Sequence, residues 1–217
     1  MKIKISDCAE LAKNSYGFSK AASKGTLPNG IIASLDRHGA QAVVTKDNLL
    51  LIPGSNELSD WFKNFDVIDL VGKRFRAKQA SRSKSGAMFH AGFWLHTQQI
   101  HAFAKENNVR FIIGHSLGAA AAQILGVALN VPTVGFASPR VKKGKRPVRH
   151  EDKILNICRT DDLVTRVPPS EFGFRRLGKT YRLNPPSINK GMDHSMEHYE
   201  KALGFDALEG QLPKSWG

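Results

Sequence analysis

Short apolar runs alternate with stretches of helix-forming residues along most of the chain. Runs rich in branched and aromatic side chains have the length of buried strands, and they lie at residues 40–45, 48–53, 109–113, 133–137 and 153–158. Helical patterns lie at residues 7–13, 57–64, 92–107 and 119–129, and a last helix is predicted to begin near His194. Strands that alternate with helices in this way predict an α/β fold with a mostly parallel sheet and helices on both faces.

The connections follow from the same pattern. A turn at Lys46 and Asp47 is predicted to join the first two strands. The basic, serine-rich stretch at residues 80–85 is typical of an exposed loop or hairpin. The sequence contains no internal repeat or long low-complexity linker, which favours one domain over residues 1–217. The reactive loops of such a sheet are expected at the carboxyl ends of its strands.

The chain is strongly basic, with 32 Lys and Arg against 19 Asp and Glu and a formal net charge of +13. Three groups of basic residues carry much of this charge, at residues 73–84, 142–149 and 175–182. A positive surface favours encounter with an anionic partner such as nucleic acid, an acidic membrane surface or a charged substrate. Each group alone is more often a solvated face. Zinc spacing, interleaved aromatics and basic-plus-heptad helices are absent from the sequence, so nucleic-acid binding is not expected.

The cysteines and the apolar segments indicate the cellular compartment in which the protein is expected. Cys8 and Cys158 lie far apart and match no metal or redox spacing, so two reduced thiols are expected, with one long-range disulfide as the alternative. The first residues lack the apolar run of a cleavable secretion signal. The most apolar segment, residues 117–137, is interrupted by Gln123, Asn130 and Pro132, unlike a membrane span. A soluble protein is expected, cytoplasmic or exported by a non-classical route.

A candidate nucleophile lies where a predicted strand is followed by a predicted helix. Residues 114–118 read Gly-His-Ser-Leu-Gly, and glycines two positions on either side of Ser116 permit a tight turn that exposes its hydroxyl. The amide of Leu117 would then lie at a helix N-terminus, which favours negative charge. The alternative is that Ser116 only caps the helix, since serine is a preferred N-cap residue.

A serine nucleophile needs a base and a carboxylate that orients it. In the chain order usual for a serine elbow on this kind of sheet, both follow the nucleophile. Asp161 and Asp162 come directly after a predicted strand, and His194 and His198 lie near the start of the last helix. Taken alone, acidic pairs in loops are often solvated and histidines are often surface or packing residues.

Several segments together resemble the class 3 lipases, best known as fungal triacylglycerol lipases of the α/β-hydrolase fold. The similar segments are, in chain order, PGSNELSDWFKNFD at 53–66, HAGF at 90–93, GHSLGAA at 114–120, ASPRV at 137–141, DDLVTRVPPSEFGF at 161–174 and DHSMEHY at 193–199. Short motifs in the right order are more specific than one pentapeptide.

The resemblance implies a role for five residues. Ser116 would be the nucleophile, His194 the general base and then acid, and Asp162 the carboxylate that orients the imidazole. The amides of Ser55 and Leu117 would form the oxyanion hole, with the Ser55 hydroxyl as a further donor.

Neighbouring residues are assigned by the same resemblance. Asp162 is preferred to Asp161 because of its spacing to the Pro168–Pro169 pair, and Asp161 is expected to be a solvated loop carboxylate. His198 is expected to be a bystander, and His90 a structural hydrogen-bonding residue. Residues 56–65 are expected to form either a mobile lid or part of the core.

The sequence also departs from the family pattern. Pro53 stands where arginine usually precedes Gly-Ser, and Ala119 replaces a third glycine after the nucleophile. Thr165 replaces a proline in the acid loop, and Lys142 stands where glycine is common. These changes leave the chemistry intact but weigh against transferring the substrate preference of the family.

The expected function is therefore that of a serine carboxylic-ester hydrolase working through an acyl-enzyme, with no metal or cofactor. Lipid esters are the favoured substrates, cleaved as by a triacylglycerol lipase or with phospholipase A1-like activity, and the basic groups would hold the enzyme at an anionic membrane surface. One alternative is an esterase or thioesterase for small soluble acyl substrates. Another is a non-catalytic basic binding protein on a hydrolase scaffold.

Overall fold

The computed structural model describes residues 1–17, 30–55, 80–83, 86–185, 193–209 and 212–217. The predicted helix at residues 57–64 and the lid hypothesis for residues 56–65 lie outside these residues, as does most of the first basic group.

The elements follow the predicted alternation closely. The helices are α1 (Ile5–Asn14), α2 (Ala91–Glu106), α3 (Leu117–Leu129) and α4 (Met196–Glu209). The strands are β1 (Ile3–Lys4), β2 (Ile31–Arg37), β3 (Ala40–Thr45), β4 (Leu49–Ile52), β5 (Ala80–Arg82), β6 (Met88–His90), β7 (Phe111–His115), β8 (Thr133–Phe136), β9 (Lys142–Lys143), β10 (Ile154–Arg159), β11 (Phe174–Arg175), β12 (Lys179–Leu183) and β13 (Ser215–Trp216).

Seven strands form the central sheet, in the order β12-β10-β8-β7-β4-β3-β2. The five strands from β12 to β4 run parallel, whereas β3 and β2 join antiparallel at one edge. A separate antiparallel sheet has the order β11-β9-β6-β5, and β1 pairs with β13. The prediction of a mostly parallel sheet is confirmed.

Apolar side chains cover both faces of the central sheet because successive residues of a strand point to opposite sides. On β4, Leu49 and Leu51 pack with α1 and α4, whereas Leu50 and Ile52 pack with α2 and α3. Strands buried on both faces read as continuous apolar runs, which is why the central strands were visible in the sequence. Helices cover both faces, as predicted.

Two edge strands were missed by the pattern. β2 alternates half-buried and exposed positions, and β12 lies within the third basic group and ends at the buried Leu183. Edge strands bury fewer apolar residues, so the apolar-run signal is weak there. The basic stretch at 80–85 does contribute to a hairpin, since β5 pairs antiparallel with β6.

Both cysteines are buried and free, which confirms the expectation of reduced thiols over the alternative of a disulfide. Burial raises the pKa of each thiol, so both stay protonated. Among the described helices, none combines the length and the apolar composition needed to cross a bilayer.

Candidate active site

Ser116 lies in a tight turn between β7 and α3. Its backbone has φ 58° and ψ −121°, an unusual conformation for a residue with a side chain, and its hydroxyl makes no capping hydrogen bond. A Cβ added at Gly118 would lie 2.0 Å from the carbonyl oxygen of Ile52, and one at Gly114 would lie 2.5 Å from that of Gly118. The two glycines are therefore required by close backbone approach. Capping of the helix by the Ser116 side chain is excluded.

A buried carboxylate and a histidine meet beside this turn. Asp162 follows β10, and its Oδ2 lies 2.9 Å from His194 Nδ1 and accepts a 2.8 Å hydrogen bond from Tyr199 Oη. Its Oδ1 accepts from the amide of Val164 at 2.9 Å. Burial opposes ionisation of Asp162, but these hydrogen bonds and the nearby imidazole outweigh it and lower the pKa of the carboxyl. Asp162 is thus a stable anion.

The contact with Asp162 determines which nitrogen of His194 is free. An ionised carboxylate only accepts, so Nδ1 carries the hydrogen and Nε2 of the neutral ring has a lone pair. Nε2 is buried and has no hydrogen-bond partner among the described residues, and the same holds for the buried Ser116 Oγ. The imidazole nitrogen and the hydroxyl also make no hydrogen bond to each other, and such unpaired atoms are unusual in a protein interior.

The loop after β4 lies directly against Ser116. A Cβ added at Gly54 would lie 2.8 Å from the Cβ of Ser116 and 2.5 Å from Tyr16 Oη, so no larger residue fits there. Ser55 follows in the same loop and is half-buried. The Leu117 amide is the first of α3, where the helix itself offers no acceptor.

The sequence expectation for Asp161 was wrong. Its side chain is only 5% exposed, and it pairs with the buried Arg159 through contacts of 3.0 and 2.8 Å. Arg159 also contacts Asp193 at 2.9 Å and the carbonyl oxygen of His198 at 2.9 Å. Asp161 therefore belongs to an ion-pair network that fixes the loop before α4.

His198 points away from the acid. Its side chain is 38% exposed, and its Nε2 lies 3.6 Å from Asp193 Oδ1 while its Nδ1 lies 3.3 Å from Ser195 Oγ. The structure thus brings His194 to Asp162 and directs His198 elsewhere.

His90 differs from the expectation of a hydrogen-bonding side chain. Both of its ring nitrogens are buried and have no hydrogen-bond partner among the described residues. The ring packs instead on Phe93 and Phe174, and burial lowers its pKa to about 4. His90 is a neutral packing residue whose backbone amide bonds to Val141.

The side chains of the basic groups are not all exposed to solvent, although the sequence suggested solvated faces. Lys142 is buried, and its ammonium donates to the carbonyl oxygens of Lys143 and Gly144. Arg176 donates to the carbonyl oxygens of Ser138 and Thr165. These two cations support local backbone, whereas Lys145, Arg146, Arg149, Lys179 and Arg182 are exposed.

Three contacting residues escaped the sequence analysis. Tyr199 Oη donates to Asp162 and accepts from the amide of Arg159 at 3.1 Å. Tyr16 and His115 hydrogen bond to each other beside the site. Tyr199 lies within the segment DHSMEHY at 193–199, a few residues after His194, and this position was the signal that could have drawn attention to it. Among the described residues, no cluster of histidine, cysteine and carboxylate side chains could hold a metal ion.

Comparison with known proteins identifies the family. The model of the family "Lipase (class 3)" matches residues 49–172, more than half of the chain, and this stretch includes Ser55, Ser116 and Asp162. The chain belongs to the class 3 lipase family. The matched stretch ends before His194, so that residue is placed by the structure and not by the family match.

A curated relative also matches this chain. The lipase candidate LIH1 of Saccharomyces cerevisiae is 31% identical over 143 residues, which cover 55% of this chain and 42% of the yeast protein. The chain thus matches less than half the length of that relative.

Solved structures show the fold. A Rhizomucor miehei lipase–propeptide complex matches with a TM-score of 0.59 and 17% identity, over 90% of this chain and 76% of that one. A triacylglycerol lipase whose catalytic centre is formed by a serine protease triad matches with a TM-score of 0.57 and 17% identity, over 82% and 78% of the two chains. The fold is the α/β-hydrolase fold, as the resemblance implied.

Proposed function

We propose that this protein is a serine carboxylic-ester hydrolase in which Ser116, His194 and Asp162 act as a catalytic triad. One observation carries the proposal: Asp162 holds His194 through Nδ1, which leaves Nε2 of the neutral ring with its lone pair, and both that nitrogen and Ser116 Oγ are buried polar atoms without a hydrogen-bond partner among the described residues, each other included. This arrangement supplies the base and the hydroxyl that nucleophilic catalysis requires.

Acylation begins when Ser116 Oγ attacks the ester carbonyl carbon and its proton passes to His194 Nε2. Asp162 stabilises the imidazolium that forms, because Oδ2 already accepts from Nδ1. The carbonyl oxygen becomes an oxyanion, which the amides of Leu117 and Ser55 would bind, and the Ser55 hydroxyl is a further donor. The intermediate then collapses, the bond to the alkoxy group breaks, and His194 returns the proton to the departing alcohol.

Deacylation repeats the sequence with water. His194 takes a proton from water as the oxygen attacks the acyl carbon, and the same donors hold the second oxyanion. Collapse releases the carboxylic acid and returns the proton to Ser116 Oγ. Neither half-reaction needs an electron acceptor or a metal ion.

Lipid esters are the proposed substrates, with cleavage as by a triacylglycerol lipase or in a phospholipase A1-like manner. Two structural neighbours are named as triacylglycerol or triacylglyceride lipases, although identities of 17% connect them to this chain by fold. Leu163, directly after Asp162, is 50% exposed and offers apolar surface on the acid loop.

An anionic lipid surface is the proposed docking partner. The exposed Lys145, Arg146 and Arg149 line a cavity of about 1410 Å³ whose wall includes Trp94 and Met88. Cations beside apolar side chains fit a surface of anionic headgroups, since each cation near such a surface contributes about 1 kcal/mol. The cavity does not include the triad residues, so it would serve docking and not the chemistry.

A substrate panel tests the proposal. Purified protein is assayed on p-nitrophenyl esters of graded chain length and on phospholipid vesicles with anionic or zwitterionic headgroups. We expect turnover that rises when the substrate forms an interface, and a rate on anionic vesicles that falls with added salt, because exposed charges are screened over about 8 Å at physiological ionic strength. Hydrolysis confined to short soluble esters would indicate a soluble-substrate esterase, and no hydrolysis of any ester would refute the proposal.

A further inference from the structure

A chain of hydrogen bonds joins the two halves of the proposed active site through residues outside the triad. The Gly54 amide donates to Tyr16 Oη at 2.8 Å, and Tyr16 Oη lies 2.5 Å from His115 Nδ1. On the other side of the ring, His115 Nε2 lies 2.9 Å from the carbonyl oxygen of His194. Four segments that are distant in sequence are therefore linked through the Tyr16 hydroxyl and the buried His115 ring.

The direction of each bond is determined by its chemistry. A carbonyl oxygen only accepts, so His115 Nε2 carries the hydrogen and donates to His194. Nδ1 of the neutral ring then has a lone pair and accepts from the Tyr16 hydroxyl, which in turn accepts from Gly54. The other tautomer of His115 would lose the bond to the His194 carbonyl, because Nε2 would then have no hydrogen to donate.

Both side chains are held in the required charge state. Burial, and then the neighbouring His194, lower the pKa of His115 to about 3, so its ring stays neutral at the pH of ester hydrolysis. Burial raises the pKa of Tyr16, so its hydroxyl keeps its proton. A neutral His115 matters, because its ring centroid lies 4.8 Å from that of His194, where positive charge forms during the reaction.

We propose that Tyr16 and His115 are positioning residues that hold the oxyanion loop and the His194 loop at fixed distances from Ser116. The inference rests on the proposed function. Gly54 precedes Ser55, His194 is bonded through its own backbone, and His115 precedes Ser116 in the turn after β7. The oxyanion loop and the His194 loop are thereby both tied by hydrogen bonds to His115, the last residue of β7.

Packing alone does not explain the arrangement. The Tyr16 and His115 rings pack edge to face at 5.6 Å, and a phenylalanine would preserve this contact. Gly54 has no side chain, so its only specific link to Tyr16 is the hydrogen bond to the hydroxyl. The hydroxyl is therefore the group whose removal separates positioning from packing.

Tyr16→Phe is the first test. On a soluble ester we expect kcat to fall about 10- to 100-fold, because displacements of the order of 1 Å in an active site cost about 100-fold. KM should stay within about threefold, since ground-state binding is not removed. Tyr181→Phe on the edge strand β12 is the matched control and should leave both constants unchanged. A wild-type kcat in Tyr16→Phe would overturn the proposal.

Two substitutions at His115 separate its two bonds. Glutamine places an amide nitrogen near the position of Nε2 and preserves donation to the His194 carbonyl, whereas asparagine reaches only the position of Nδ1. We expect His115→Gln to retain at least tenfold more kcat than His115→Asn, with His96→Gln on α2 as the control for loss of a buried histidine. If the two variants lost kcat equally and also lost thermal stability equally, His115 would have a merely structural role, and the proposal would be overturned.

A double-mutant cycle tests whether Tyr16 and His115 act together, and NMR tests the tautomer of His115. In a double-mutant cycle, Tyr16→Phe should cost less in the His115→Gln background than in the wild type, because the two residues share one chain of bonds. Strict additivity would contradict the proposal. Nitrogen-15 NMR of the wild type should show His115 as the Nε2–H tautomer, and Tyr16→Phe should keep this tautomer but shift the Nδ1 resonance, because Nδ1 loses its donor while Nε2–H still donates to the His194 carbonyl. The NMR result does not depend on activity. Wild-type protein that shows this tautomer but hydrolyses no ester would refute the proposed function, whereas an active wild type with the other tautomer would refute only this inference.

Discussion

Replacing Asp162 with asparagine changes one atom and should inactivate the protein. Oδ1 of Asp162 accepts from the Val164 amide, and Oδ2 lies against His194 Nδ1 and accepts from Tyr199. An asparagine amide must put its NH₂ group at one of these two positions. If NH₂ faced Val164, two buried donors would oppose each other, at a cost of about 1–3 kcal/mol for each unsatisfied group.

The favoured orientation therefore directs NH₂ at His194. Nδ1 then accepts, the ring hydrogen moves to Nε2, and the base no longer has a lone pair for the Ser116 proton. The fold should survive, because Tyr199 Oη can accept from the new amide. Loss of the correct tautomer in a serine triad lowers kcat by about 10⁴, or about 5.4 kcal/mol of transition-state stabilisation at 1.36 kcal/mol per decade.

The assay measures kcat and KM on a soluble p-nitrophenyl ester, with circular dichroism to establish folding. Asp161→Asn is the matched control. It should lower thermal stability, because the buried Arg159 loses a carboxylate partner, but it should leave kcat of the folded protein within about tenfold. Asp162→Asn that keeps a tenth or more of the wild-type kcat would refute the assigned geometry, and loss of activity in Asp161→Asn alone would move the acid by one residue.

Three further predictions concern the surrounding structure. Tyr199→Phe should lower the free energy of unfolding by about 1–3 kcal/mol, because the buried amide of Arg159 loses its acceptor; urea unfolding measures this, and an unchanged midpoint would contradict it. Gly54→Ala should reduce kcat far more than KM, because the added Cβ would displace the loop from Tyr16 Oη; normal kinetics would show that the loop is not constrained. Burial lowers the pKa values of His90 and His96 from 6.5 to about 4. Between pH 6.5 and pH 4 the unfolded chain therefore binds protons at these histidines that the folded chain does not bind. The free energy of unfolding should fall as the pH falls through this range, by up to about 1.4 kcal/mol per pH unit for each histidine. Urea titrations at several pH values should show a smaller slope in His90→Gln/His96→Gln, and an unchanged slope would contradict the account.

The strand-to-helix turn at Ser116 could be predicted from the sequence because its signals are local. A buried apolar run, two glycines and a helix-forming run adjoin each other, and the structure places β7, the turn and α3 within a residue or two of those boundaries. The fold class followed from the same alternation. The edge strands β2 and β12 did not, since half of each strand faces solvent and the pattern resembles a loop.

Contacts between distant segments could not be predicted in this way. Tyr16 and His115 are 99 positions apart, and nothing in either neighbourhood indicates a shared hydrogen bond. Asp161 was taken for a solvated carboxylate because a sequence does not show that Arg159, two residues earlier on β10, turns its guanidinium back towards it. Lys142 was counted as surface charge although its stem and ammonium are folded onto local backbone. Charge and spacing indicate chemistry, but partners depend on tertiary packing.

The central claim is that Ser116 is the nucleophile, and covalent labelling tests it most directly. Intact protein is treated with a fluorophosphonate, the stoichiometry is measured by mass spectrometry, and the modified residue is mapped by peptide sequencing. The account predicts one adduct per chain, on Ser116, lost in a Ser116→Ala variant that keeps the wild-type melting temperature and only a small residual esterase rate. An adduct on another serine, or ester hydrolysis that continues at the wild-type rate in Ser116→Ala, would contradict it.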